Sequence, residues 1–173
     1  SIGAMGGRFA VEDDRTIPDT MEACFQFASG RLFIFGQYEA SGNPMFPYGE
    51  LELRGVLGTV YASDRMFKIV PERGGQFQDP KPRMEPMEQP GPSPYVESTV
   101  LHARNFLDCI KSRQKPNADV EEGHRSTTMS LLANLSLVVG QRLEWDAQNE
   151  KILSPKEAND LLHYEYRKPW SLD

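Results

Sequence analysis

Between residues 20 and 70 apolar side chains recur at every second position or in short runs, the period of β-structure. After residue 97 they recur every third and fourth position, the period of a helix. In MEACFQFASGRLFIFGQYEA, Met21, Ala23, Phe25 and Phe27 fall on one strand face and Glu22, Cys24 and Gln26 on the other. Ser29-Gly30 marks a hairpin turn. The following run is apolar on both faces, because Phe33 and Phe35 alternate with Leu32, Ile34 and Tyr38. Such a strand needs cover on both sides. Helices of its own domain supply one cover, and another domain or subunit must supply the other. Leu51 and Leu53 alternate with Glu50, Glu52 and Arg54, which predicts a half-exposed strand. Gly55 and Gly58 interrupt the pattern before short strands at 59–62 and 67–70. An early strand is expected around residues 7–11, ended by the polar loop EDDRTIPD, and residues 1–3 are given no structural role.

Residues 71–95 hold seven prolines. Proline blocks ladder and helix hydrogen bonds alike, so this segment reads as a long irregular connection, a surface strap. Two helices follow. In the first, Val100, Ala103, Leu107 and Ile110 form an apolar stripe widened by Phe106, with His102 off it. The second opens in NADVEEGHRSTT, with Asp119 as N-cap and Glu122 three residues on. Leu131, Leu132, Leu135, Val138 and Val139 form its predicted buried stripe, and Gly140 with Arg142 its end. RLEWD and EKIL are placed to pair as a small hairpin. Ser154-Pro155 then starts a short helix, with serine as cap and proline at the first helical position. Strands first and helices after predict an α+β fold: an open, mostly antiparallel or mixed sheet with helices packed on one face, in one domain spanning residues 1–173.

A net charge of -6 excludes the basic face that nucleic acid or an anionic membrane requires. No apolar run approaches the roughly 20 residues of a spanning helix, and no signal peptide is recognisable. Cys24 and Cys109 are too far apart to suggest a metal motif or a disulfide framework. They read as reduced, buried small hydrophobes of a cytoplasmic protein, with an exported parent left open.

Candidate chemistry is sparse. Gly6-Gly7 and Gly74-Gly75 do not make G-x-G-x-x-G or a P-loop. His102, His124 and His163 are scattered, and no complete catalytic set or metal-ligand set is present. His124 and Arg125 stand near a helix N-terminus, which attracts anions and polar oxygens. A histidine there can donate to a substrate hydroxyl or move a proton; it can equally be a surface residue beside a cap. Arg15 belongs to an acid-rich loop with Asp13, Asp14 and Asp19, suited to sugar hydroxyls or simply solvated. Trp170, beside Arg167 and Lys168, can stack on a sugar or nicotinamide, or anchor the tail in the core.

GGRFAVEDDRTIPDT, NFLDCIKSRQKPNADVEEGHRSTT, LEWD and EYRKPWSL together resemble the C-terminal half of the Gfo/Idh/MocA oxidoreductases, named for glucose–fructose oxidoreductase and inositol dehydrogenase. The resemblance runs from about residue 4 to the end and is closest to bacterial members acting on sugars or polyols. It implies a two-domain parent. An N-terminal Rossmann domain there binds NAD or NADP, and an α/β domain shapes the substrate pocket and builds oligomers through its free sheet face. Neither the Rossmann domain nor the family's Glu-Lys-Pro motif is present in this chain, so no catalytic residue and no cofactor contact carries over. His124 and Arg125 match a motif of the subgroup, which implies a pocket-facing role; Arg15 and Trp170 are weaker candidates.

The expectation is therefore the substrate-binding and oligomerisation domain of an NAD(P)-dependent sugar or polyol oxidoreductase, inactive alone. Its partners are its own Rossmann domain and further copies of itself. Some relatives use the same redox step to cleave glycosidic bonds, so a redox-assisted glycosidase is a variant. The alternative is a free-standing sugar-binding or scaffold module.

Overall fold

The computed structural model describes residues 1–41, 50–63, 66–73, 81–91 and 95–171. Contacts gather into two compact units, residues 1–42 with 120–173 and residues 43–119. Every strand pairing among the described residues is antiparallel, and the helices come after seven strands rather than between them, so the chain is α+β as predicted.

In the first unit β1 (Ile2–Gly7), β2 (Thr20–Gln26) and β3 (Leu32–Tyr38) form a sheet in that order. The β2–β3 turn includes Gly30 at φ +80°, a conformation glycine enters without steric cost. The alternation in β2 is realised: Met21, Ala23 and Phe25 are buried while Glu22, Cys24 and Gln26 are exposed. Phe27 lies beyond the strand and is exposed. Register puts Ile2, Phe25 and Phe33 side by side on the buried face, and the rings of Phe25 and Phe33 meet at 5.7 Å. The early strand thus starts five residues before the predicted position. Ile2, assigned no role from sequence, is buried and exchanges backbone hydrogen bonds with Leu143 at 2.9 and 2.7 Å.

Helix α2 (Val120–Val139) contributes Leu132 and Ala133 to this core. Of its predicted stripe Leu132 is buried and Leu135 and Val139 pack against the core, while Leu131 and Val138 turn outward. Leu132 is 3% exposed but Leu131 is 57% and Val138 73%, and Ser136 takes the innermost position beside β1. Small side chains sit where helix and strand come closest, and hydrophobicity alone does not mark them. The helix ends at Gly140, φ +68°, whose amide donates to the Ser136 carbonyl. The predicted hairpin forms as β8 (Glu144–Asp146) and β9 (Lys151–Ser154). Ile152 is buried and flanked by Asn159, whose side chain accepts from the Ile152 amide at 2.9 Å and donates to its carbonyl at 2.7 Å. Asn159 thereby takes the place of a neighbouring strand. Residues 156–162 form a 3₁₀ helix rather than an α-helix; Pro155, not Ser154, occupies its N-cap position, with no side-chain cap.

The second unit holds a sheet in the order β4 (Leu51–Arg54), β5 (Gly58–Ala62), β6 (Met66–Pro71), β7 (Met87–Pro90), followed by helix α1 (Tyr95–Ser112). The predicted irregular connection at 71–95 is therefore interrupted by β7, with a further bridge between Arg73 and Pro82. Proline is tolerated in β7 because that strand lies at the sheet edge. Pro80, Pro92, Pro94 and the Gly74-Gly75 pair lie outside the described residues. The α1 stripe is amphipathic as predicted but open: Val100, Phe106, Leu107 and Ile110 are all about half exposed or more. No helix among the described residues is long and apolar enough to cross a membrane.

Candidate functional site

The four candidate residues all belong to the first unit. Helix α2 opens directly after Asp119, which pairs with Lys115 at 2.6 Å. Glu121 and Glu122 occupy its first turn, where negative charge meets the positive end of the helix dipole. One turn on, Arg125 reaches back to Glu121 at 2.5 Å, an i,i+4 ion pair. The side chain of His124 leaves the helix in another direction. Its Nε2 lies 2.6 Å from Oε1 of Glu150, in the turn between β8 and β9. The hydroxyls of Ser126 and Thr128 donate to carbonyls of the preceding helical turn, Thr128 to that of His124. Asp146 shapes the hairpin turn by accepting from the amides of Gln148 and Asn149 and from the Asn149 side chain. These bonds, the side-chain one first, hold its carboxyl below the ordinary value.

Arg15 sits in a separate cluster. Its guanidinium contacts Glu39 and Asp13, and those bonds, Glu39 first, raise its already high pKa. Desolvation opposes ionisation of Asp13. The amide and guanidinium of Arg15, with the charge of Arg8, nevertheless keep its carboxyl below the usual value. Arg15 is thus held between two carboxylates, and the loop is more ordered than a solvated acid run. Its anchor is Asp19, with no exposed surface. The Asp19 carboxylate accepts from the amides of Phe9, Ala10 and Val11 and from the Thr20 hydroxyl. The amides of Val11 and Ala10 contribute most to lowering its pKa to about 2. An open hollow of about 540 Å³ lies along this loop between Arg8 and Asp13.

Trp170 is 70% exposed, so it does not anchor the tail in the core. Its amide closes a turn to the Arg167 carbonyl at 3.1 Å. His124, Arg125, Arg15 and Trp170 each have their own surroundings, and no hydrogen bond or ion pair among the described residues joins any two of them. Sequence reasoning missed Glu150, because no short-range spacing connects it to His124.

The described residues offer a dinucleotide no phosphate turn. Gly6 and Gly7 lie within β1, and a Cβ on Gly6 would stand 2.2 Å from the Thr20 carbonyl oxygen; close strand packing accounts for that glycine. No group of three or more metal-ligating side chains occurs among the described residues. Cys24 is exposed and Cys109 half-buried, so the expectation of two buried thiols fails for Cys24 and is met only in part by Cys109.

A family model described as the C-terminal alpha/beta domain of an oxidoreductase family matches residues 76–172, more than half of the chain. No curated protein and no solved structure matches it.

Proposed function

The chain belongs to the Gfo/Idh/MocA oxidoreductase family as its C-terminal α/β domain, and from that membership we propose that it forms the substrate side of a nicotinamide-dependent oxidoreductase acting on a sugar or polyol. The family match carries the reading, since it includes all of α2 and the tail through Trp170. In this reading His124 and Arg125 orient substrate hydroxyls from the start of α2, with Arg15 and Trp170 as outer contacts. The nicotinamide, NAD or NADP, is held by a Rossmann domain of the parent and supplies the hydride chemistry. This chain's own groups bind, orient and exclude water.

The outer face of the β1–β3 sheet supports a second role, self-association. Met5 is 82% exposed and Ile34 64%, with Leu32 and Cys24 on the same face. Exposed apolar side chains gathered on one sheet face, here interspersed with Glu22 and Gln26, favour an interface. A soluble, cytoplasmic oligomer is the proposed setting.

The test is turnover by the protein that the source gene encodes. NAD or NADP is supplied with a panel of aldoses and polyols, and reduction of the nicotinamide is followed by absorbance. Turnover with one such substrate, together with no dinucleotide affinity in the present chain by calorimetry, is the expected result. A parent protein that binds sugars but no dinucleotide overturns it and leaves a sugar-binding scaffold.

A further inference from the structure

His124 uses only one of its ring nitrogens within the described residues. Nε2 lies 2.6 Å from Glu150 Oε1, and the two residues belong to different elements, helix α2 and the β8–β9 turn. Glu150 also has a backbone φ of +49°, the left-handed region that a side chain enters at a cost. Glycine or asparagine would make that turn with less strain, so turn geometry does not account for a glutamate there. Stability does not account for it either. The side chains are 48% and 55% exposed, and exposed ion pairs contribute little. What the pair does fix is the imidazole itself. In the neutral ring, a carboxylate accepting from Nε2–H selects the tautomer with its proton on Nε2, holds the ring plane, and leaves Nδ1 as an acceptor.

We propose that Glu150 is the positioning residue of His124, holding its imidazole so that Nδ1 accepts a hydrogen bond from a substrate hydroxyl. The inference rests on the pocket-facing reading of His124 given above. The ligand class is a polyhydroxylated carbon chain or ring whose hydroxyl donates to Nδ1. Arg125, tied to Glu121 on its own helix, stays independent of this arrangement.

Two measurements test it. In the present chain, nitrogen-resolved NMR of the imidazole reads the tautomer. The neutral His124 ring is expected on the Nε2–H form, Glu150→Ala to lose that preference, and Glu150→Gln, which keeps an acceptor oxygen, to retain most of it. In the parent enzyme, His124→Ala is expected to lower kcat/KM about 100-fold and Glu150→Ala about 10-fold, in the range of acid–base and orienting groups. Glu150→Ala added to His124→Ala should cost nothing further. Glu150→Gln should recover most of the loss. If His124→Ala leaves kcat/KM unchanged, the pocket reading fails and the proposal with it. If His124→Ala is impaired but Glu150→Ala is silent, or its loss persists without the histidine, the positioning role alone is overturned. A tautomer preference indifferent to Glu150→Ala overturns it too.

Discussion

The Ser136 hydroxyl of helix α2 accepts the Ala4 backbone amide of β1 at 3.1 Å, and it donates to the Gln141 carbonyl at 2.8 Å. One buried side chain therefore links the edge of the sheet to the end of the helix that covers it. Ser136 is 1% exposed, so water cannot replace either bond. Ser136→Ala leaves the Ala4 amide without a partner, at a cost of about 1–3 kcal/mol. Urea unfolding should show a lower midpoint with an unchanged slope. A variant as stable as the parent chain would mean that strand and helix are held by apolar contact alone.

Leu131 and Leu132 are neighbours in sequence on opposite sides of the α2 boundary between core and solvent. Leu132→Ala opens a cavity in the core and is expected to cost about 2–5 kcal/mol. Leu131→Ala removes a side chain that is 57% exposed and should stay within about 0.5 kcal/mol. Equal effects would mean a rotated helix. The pair is measured in one denaturation series.

Asp19 gives the protein an acid-sensitive joint. Its folded-state pKa of about 2 lies below the ordinary 3.8, so folding favours the ionised form. That contribution is complete above pH 3.8 and is lost as pH falls toward and through 2. Asp19→Asn should be less stable than the parent at neutral pH, and the gap should close across that window. Unfolding midpoints of both chains, measured at a series of pH values, check the sign. A gap independent of pH would mean the carboxylate charge does not matter.

These positions also show what periodicity can and cannot convey. The face of β2 is legible because alternate positions differ sharply in polarity, and the hairpin after Trp145 because turn residues separate two short apolar runs. The α2 stripe is legible at Leu132, Leu135 and Val139 but not at Leu131 and Val138, because close approach to β1 favours Ala133 and Ser136, which carry little hydrophobic signal. Asp19 reads as one solvated acid among several, since its partners are backbone amides that no side-chain pattern encodes. The α1 stripe is legible as amphipathic, yet amphipathicity does not say what covers it. Within the candidate site, His124 and Arg125 stand out in the sequence by their place near a helix start. Glu150 does not, because its relation to His124 exists only once the hairpin turn is folded.

The outer face of the β1–β3 sheet yields the last prediction. Gly3, Cys24 and Ile34 stand in one row of the register, next to the row of Met5, Glu22 and Gly36. Gly3 leaves open space in its row, whereas the Tyr38 ring lies over Gly36. Strand β3, apolar on both faces, is thus covered only in part and only on the Phe33 side within its own unit, where Phe33 packs against the core and Phe35 stays 38% exposed. Ile34→Glu places a charge in the middle of this surface without touching the core, so the unfolding midpoint of the dissociated chain should hardly move. Light scattering should find the parent chain associated at concentrations on the order of tens of micromolar, the range of a weak interface, and the variant monomeric. A parent chain that is monomeric there removes self-association through this face. An associated Ile34→Glu variant moves the contact elsewhere, with the α1 stripe as the next surface to substitute.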